Sequence, residues 1–382
     1  MPLRRVYLDN SATTPVDPRV ATAMARAVVE TFGNASSVHG FGQQARAAID
    51  RARREVAALI GARQNEIVFT SGGTESNNLA IRGVCEAAHG RHIVTSTIEH
   101  PSVAGVCAEL EKRGWEVTRL PVYGNGVVRI EDVAASLRPD TVLITVMLAN
   151  NEIGTIQPAA EIGSLVREKR AAGRKNLWFH TDAVQAAGRL RLNVEDLGCD
   201  LLTMSGHKLY APKGVGALYV RRGVRLHGQN IGGHQERERR AGTENVPLAA
   251  AFGVAAEIAR ERSDVGALRD ALERGLGVFD IVINGADVPR IPNTSSVTFR
   301  GADGEGIVIG LDLSGVAVST GAACSSGRVE PSHVLLAMGL TADQARSTIR
   351  FSLSRFTTMD EIAQTIALLR DIVPRCMKTK GE

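Results

Sequence analysis

Leu201-Leu202-Thr203-Met204-Ser205-Gly206-His207-Lys208 starts as an apolar run that reads as a buried strand and ends in four polar or small residues. A lysine at the end of a buried strand is costly to desolvate. Burial lowers its pKa, and a lowered pKa leaves a nucleophilic amine. The competing reading is a surface lysine that snorkels back to water, so the rest of the chain has to decide. Upstream, Leu177-Trp178-Phe179-His180-Thr181 breaks in the same way, at Asp182. Polar groups that fall just after apolar strands sit where an open α/β sheet holds its ligand.

Working outward, strands and helices alternate. The pattern predicts strands over 66–70, 92–97, 141–149, 177–181, 201–204 and 216–220, with helices over 75–88, 102–113 and 159–172 between them. Short apolar strands separated by amphipathic helices indicate an α/β fold with a mostly parallel central sheet covered by helices. A long helix over 247–261 leads out of this layer. Helices over 265–278, 305–313 and 359–373, with strands over 295–300 and 349–354, then read as a smaller α+β domain. A chain of 382 residues is long enough for both.

Composition excludes several classes. A net charge of +4 is too small to argue for nucleic acid, and the basic residues are scattered. The densest group, Arg51 to Arg54 with Arg46, lies on a helical pattern and is expected to be a solvated face. No stretch approaches the ~20 apolar residues of a membrane helix. The N-terminal residues do not form a secretory signal, so a cytoplasmic protein is expected. The five cysteines form no CxxC pair, which argues against a disulfide framework or a metal site and leaves any important cysteine a thiol.

Thr70-Ser71-Gly72-Gly73-Thr74-Glu75-Ser76 joins a predicted strand to a helix, so the helix offers free N–H groups to an anion such as phosphate. A plain capped turn would read alike. Ser205 and His207 could add hydrogen bonds to the same anion. His100, Asn151 and Gln185 each follow a predicted strand. A histidine there can stack on a flat ring or move protons. Arg350 interrupts an apolar strand, and an inward arginine could grip a carboxylate with two hydrogen bonds. Cys324 lies in a loop of small residues without large apolar neighbours. A lysine for a Schiff base and an aspartate for a pyridinium nitrogen are what pyridoxal phosphate (PLP) requires of a protein.

These residues fall in an order that resembles the NifS/IscS-type cysteine desulfurases, PLP enzymes of the class V aminotransferase family. The resemblance rests on Tyr7-Leu8-Asp9-Asn10-Ser11-Ala12-Thr13-Thr14, the Gly72-to-Asn77 turn, Asn150-Asn151-Glu152-Ile153-Gly154, Asp182-Ala183-Val184-Gln185, Ser205-Gly206-His207-Lys208, Arg240-Ala241-Gly242-Thr243-Glu244-Asn245, the Cys324 loop and Ile349-Arg350-Phe351-Ser352. It implies the type I fold of PLP-dependent transferases, with a large PLP-binding domain over 15–255 and a small domain of 1–14 plus 256–382. It also implies roles. Lys208 would carry PLP, His100 would stack on its ring, and Asp182 would pair with the ring nitrogen. Gln185 and Asn151 would hold the phenolate side. Gly73, Thr74, Ser205 and His207 would bind phosphate, completed by Thr243 from the other subunit of a homodimer. Arg350, Asn34 and Asn151 would bind the carboxylate of L-cysteine. Cys324 would take the sulfur as a persulfide and pass it to a protein acceptor, in iron–sulfur cluster assembly or a thiolation pathway.

The Cys324 loop resembles the longer type within the family. The tail after Pro374 is shorter than in IscS-type members and looks more like the NifS-type branch, which puts pairing with a standard scaffold in question. Two other readings compete. A selenocysteine lyase or an aminotransferase would share the fold, although a transaminase has no use for Cys324. A catalytically idle sulfur-relay subunit would be expected to lack Lys208, Asp182 or Cys324, and all three are present.

Overall fold

The computed structural model describes residues 5–261, 265–320 and 330–378. Its strands are β1 (Val6–Tyr7), β2 (Ile67–Thr70), β3 (His92–Ser96), β4 (Glu116–Leu120), β5 (Thr141–Thr145), β6 (Trp178–Asp182), β7 (Leu201–Ser205), β8 (Gly216–Val220), β9 (Ile281–Ile283), β10 (Thr294–Phe299), β11 (Val316–Ala317) and β12 (Thr348–Ser352). The main sheet has seven strands in the order β2-β8-β7-β6-β5-β3-β4. Five of them, β7-β6-β5-β3-β4, run parallel, while β8 is antiparallel to both of its neighbours. Two reversals return β2 to the direction of β7, so the carboxyl ends of β2, β3, β5, β6 and β7 share one edge.

Both faces of this sheet are covered, and strand periodicity shows why. Ile67, Phe69, Ile144, Leu202, Met204, Ala217 and Tyr219 enter one core, with Ile49, Ala52 and Phe252 from the helices Gly40–Leu59 and Val246–Ile258. The alternate residues Val68, Leu143, Leu201, Leu218 and Val220 enter a second core, with Leu79, Val84 and Val103 from the helices Gly73–Ala87 and Pro101–Lys112. Successive strand residues face opposite ways, so a sheet buried on both sides needs continuous apolar runs. A third core joins the two ends of the chain. Val6 and Leu8 meet Val297, Phe299, Ile307, Ile349, Phe351 and Leu369 around the antiparallel sheet β12-β10-β9.

The structure departs from the expected pattern in three places. The strand expected over 141–149 ends as a ladder at Thr145, although Val146 and Leu148 still donate to the carbonyls of His180 and Asp182. β4 is an edge strand with a mostly solvated side, and its pattern EVTRL carries too little apolar signal to stand out. Arg53 does not lie on a solvated face. It is 4% exposed and makes a buried ion pair with Glu236. No helix among the described residues is long and apolar enough to cross a membrane.

Candidate active site

The shared sheet edge opens on a cavity of about 390 Å³. Gly73, Thr74, His100, Asn151, Asp182, Gln185, Ser205, His207, Lys208 and Arg350 all line it. Ten residues drawn from six sequence segments converge because each ends or follows a strand on one edge or, for Arg350, belongs to β12.

Lys208 closes a single 3-10 turn, Gly206–Lys208, directly after β7. The turn is set by backbone geometry. Gly206 N donates to Val215 O at 2.9 Å, and a Cβ on Gly206 would stand 2.8 Å from Val215 Cγ1. Two residues past the lysine, Tyr210 has φ 62°, a left-handed conformation that costs a non-glycine residue about 1–2 kcal/mol. It is held there by Thr14, whose Oγ1 accepts from Tyr210 N at 2.9 Å and donates to His207 O at 2.9 Å.

The Lys208 amine donates to the carbonyls of Ser11 and, at 2.6 Å, Ala12. No carboxylate bonds to it among the described residues. Burial, and then the positive charges of Arg189 and Arg350, push its pKa down to about 7, against the opposing pull of Asp9 and Asp182. The amine therefore gains nucleophilicity from its surroundings. His207, next to it, is pushed down to about 4 by burial and by Lys208.

Asp182 ends β6 and is 5% exposed. One carboxylate oxygen accepts from Val184 N at 2.9 Å and the other from Asn77 Nδ2 at 2.7 Å. Gly73 and Thr74 open the helix Gly73–Ala87, whose first turn offers unpaired N–H groups. Its N-cap is Gly72, without a side-chain cap, and neither Ser71 nor Thr74 fills that role. A Cβ on Gly73 would approach Val184 Cγ2 to 3.0 Å and Ser205 Cβ to 3.5 Å, so the backbone here lies close to both neighbouring segments.

Arg350 is 5% exposed, donates from Nη2 to Asp9 Oδ1 at 2.7 Å and from Nη1 to Asn151 O at 3.0 Å, and keeps a buried Nε without a partner. Gln185 Nε2 donates to Ser11 O at 2.9 Å, and its Oε1 is buried and unpartnered. The cavity thus holds an underpaired amine, a carboxylate, an anion-binding helix end and orphaned polar atoms. That donor set fits PLP: an aldehyde for the amine, a ring nitrogen for the carboxylate and a phosphate for the helix end.

Of the remaining residues expected to serve the site, Thr243, expected from a second subunit, and Asn34 do not line this cavity in their own chain. Thr243 lines a separate cavity of about 260 Å³ with Ser71 and Arg240. Asn34 lines neither cavity; its Oδ1 accepts from Ser36 N at 2.9 Å. Cys324 lies outside the described residues. Of the described segments that flank it, one reaches the cavity and the other is tied to the neighbours of His100 and Asn151. Ser319 lines the cavity and pairs with Arg350 of β12, while on the far side Ser332 Oγ donates to Glu152 and His333 Nε2 lies 3.1 Å from Glu99 O. Sequence reasoning missed Asp9, Asn77 and Ser102, since an aspartate, an asparagine and a serine in turns or helix starts carry no distinguishing signal of their own.

Comparison with known proteins gives the family. The model of the aminotransferase class-V family matches residues 6–365. A cysteine desulfurase of Trichormus azollae is 48% identical over 97% of this chain and 93% of its own. The cysteine desulfurase IscS of Dictyoglomus turgidum is 46% identical over 97% of this chain and 95% of its own. A solved NifS-like protein superposes with a TM-score of 0.90 at 36% identity, covering 97% of this chain and 100% of that one.

Proposed function

The chain belongs to the aminotransferase class-V family and is a PLP-dependent cysteine desulfurase, and from that premise we propose how its residues divide the work. The observation that carries the assignment is the Lys208 amine, held by two backbone carbonyls at the cavity floor with its pKa lowered to about 7. Lys208 would hold the cofactor, and its amine, with its lowered pKa, would move the proton of the substrate Cα. Asp182 would meet the ring nitrogen and favour its protonated form. His100 would lie against the ring, Gln185 and Asn151 would serve its phenolate side, and Gly73, Thr74, Ser205 and His207 would hold the phosphate. When bound, PLP supplies an electron-poor ring that draws electrons from the bonds at the substrate Cα.

Arg350, preset by Asp9 and Asn151, takes the carboxylate of L-cysteine; Asn34, expected beside it, does not line this cavity in the same chain. The Cys324 thiolate attacks the substrate sulfur. The substrate's Cβ–S bond breaks, its electrons return to Cβ, and Cβ takes up a proton to complete alanine. L-Cysteine and one thiol become alanine and one Cys324 persulfide, so no external oxidant is required. The anchored segments on both sides of Cys324 support its reaching this cavity. The persulfide then serves a protein acceptor in iron–sulfur cluster assembly or thiolation.

A homodimer belongs to the same reading. Thr243 lines a cavity of its own, which supports its completing the phosphate site of a second copy. Phe32 and Phe41, exposed by 68 and 55%, bring their rings to 5.2 Å on the segment that carries Asn34 and suit a subunit contact. The separate third core supports a small domain of 1–14 plus 256–382 beside a large domain of 15–255.

Mass spectrometry of the Cys324 peptide after incubation with L-cysteine, with alanine assayed in parallel, tests the assignment. The expected result is one added sulfur on that peptide in the wild type. Cys324→Ser binds the cofactor but gains no sulfur and forms no alanine. Full alanine formation by Cys324→Ser would overturn the role of this thiol.

A further inference from the structure

His100 is the N-cap of the helix Pro101–Lys112, and its Nδ1 edge is turned toward that helix. Ser102 N donates to Nδ1 at 3.1 Å, and Ser102 Oγ lies 2.7 Å from the same nitrogen. The hydroxyl is in turn 2.8 Å from Asn77 Nδ2, and Asn77 Nδ2 is 2.7 Å from Asp182 Oδ2. Four side chains thus form one line: Asp182, Asn77, Ser102, His100.

The direction of each hydrogen bond follows from which groups can only accept. The Asp182 carboxylate accepts, so Asn77 presents its NH2 rather than its carbonyl. One amide hydrogen goes to Asp182, and the other goes to Ser102 Oγ. A hydroxyl that accepts from the amide has its single hydrogen left for His100 Nδ1. The Ser102 backbone N–H points at that nitrogen as well. An Nδ1 faced by two donors cannot carry a proton of its own, so the neutral ring carries it on Nε2.

We infer that Asn77 and Ser102 are positioning residues that hold His100 in the Nε2–H tautomer, so that it meets the ligands of the cavity as an N–H donor and not as a base. Proton removal is left to Lys208. The lowered pKa of His100, caused first by burial and then opposed by Asp182, is consistent with a ring that stays neutral. The inference rests on the reading that His100 faces cofactor and substrate, but the tautomer itself is a property of the protein alone.

The test is nitrogen NMR of the histidine rings in the apoprotein, labelled with 15N-histidine, with the His100 signals identified by their absence in His100→Gln. The expected wild-type pattern is a bare Nδ1 and a protonated Nε2 at neutral pH. Ser102→Ala removes the hydroxyl and leaves the backbone donor, and the Nε2–H to Nδ1–H ratio is expected to fall by roughly tenfold, the equivalent of one hydrogen bond. Ser102→Thr keeps a hydroxyl and holds the wild-type ratio. A wild-type proton on Nδ1, or an unchanged ratio in Ser102→Ala, would overturn the inference. Unchanged L-cysteine turnover by His100→Gln would instead overturn the site reading beneath it, and the two failures are separable because the ring signals are recorded without cofactor.

Discussion

Arg53 and Lys208 are both cations taken out of water by the same α/β layer, and their surroundings differ in kind. Arg53 meets Glu236 through two hydrogen bonds of 2.6 and 2.8 Å, donates to Ile67 O at 2.8 Å and lies 4.8 Å from the centre of the Phe69 ring. Glu236 also accepts from Phe69 N at 3.1 Å. The pair fixes a segment in which Glu236, Arg237 and Glu238 all have positive φ, and it joins the helix Gly40–Leu59 to β2. Among the described residues, Lys208 has two carbonyls and no carboxylate bonded to it. A buried charge bonded to an opposite charge holds structure together, whereas one without a bonded counter-charge is a strained group with chemistry to offer.

The largest effect that would break this contrast is expected from Lys208→Ala. It abolishes L-cysteine turnover and retention of the cofactor's visible absorbance after gel filtration, while the apoprotein melts no lower than the wild type. A lower melting temperature would mean that Lys208 is also a structural partner. Arg53→Ala is expected to do the reverse. Leaving Glu236 buried alone lowers stability by about 3–5 kcal/mol in denaturant titration, and the folded fraction turns over L-cysteine at the wild-type rate.

Asp182→Asn sharpens the contrast from the side of the acid partner. It keeps the size of the group and loses its charge. Turnover is expected to fall on the order of 10²–10³-fold, as for other preorganised electrostatic contacts, while bound cofactor is still seen by absorbance. Retention of wild-type turnover would show that the charge of Asp182 does no work.

The smallest effect is a pH dependence of apoprotein stability. The folded pKa of Lys208 lies near 7, and that of an unfolded lysine is about 10.4. Between those values the unfolded chain binds a proton that the folded chain does not. Unfolding takes up that proton, so the contribution of Lys208 makes stability rise with pH across the window and leaves its full penalty below the folded pKa. Denaturant titrations over this range are expected to give a shallower slope for Lys208→Met than for the wild type.

Much of the architecture was legible because buried strands must be apolar on both faces. The runs at 201–204 and 216–220 announce themselves, and the polar residues that end them mark the ligand edge. Ten of the expected site residues meet in one cavity for that reason. What could not be read was pairing over long sequence distances. Arg53 lies in a basic run that resembles a solvated helix face, and only the fold brings Glu236, 183 positions away, against it. The two reversals of β8 and β2 depend on sheet order, which periodicity does not encode. Asp9, Asn77 and Ser102 act through what they touch, and their identities alone say nothing of Arg350, Asp182 or His100.

The central claim, that Lys208 is the underpaired amine that carries the cofactor, is tested most directly by reducing the PLP-loaded protein with borohydride and mapping its peptides. Reduction fixes the cofactor to whichever amine holds it. The account predicts a pyridoxyl group on the peptide that contains Lys208 and none after Lys208→Ala. An adduct on Lys213 or another lysine, with Lys208 unmodified, would contradict it.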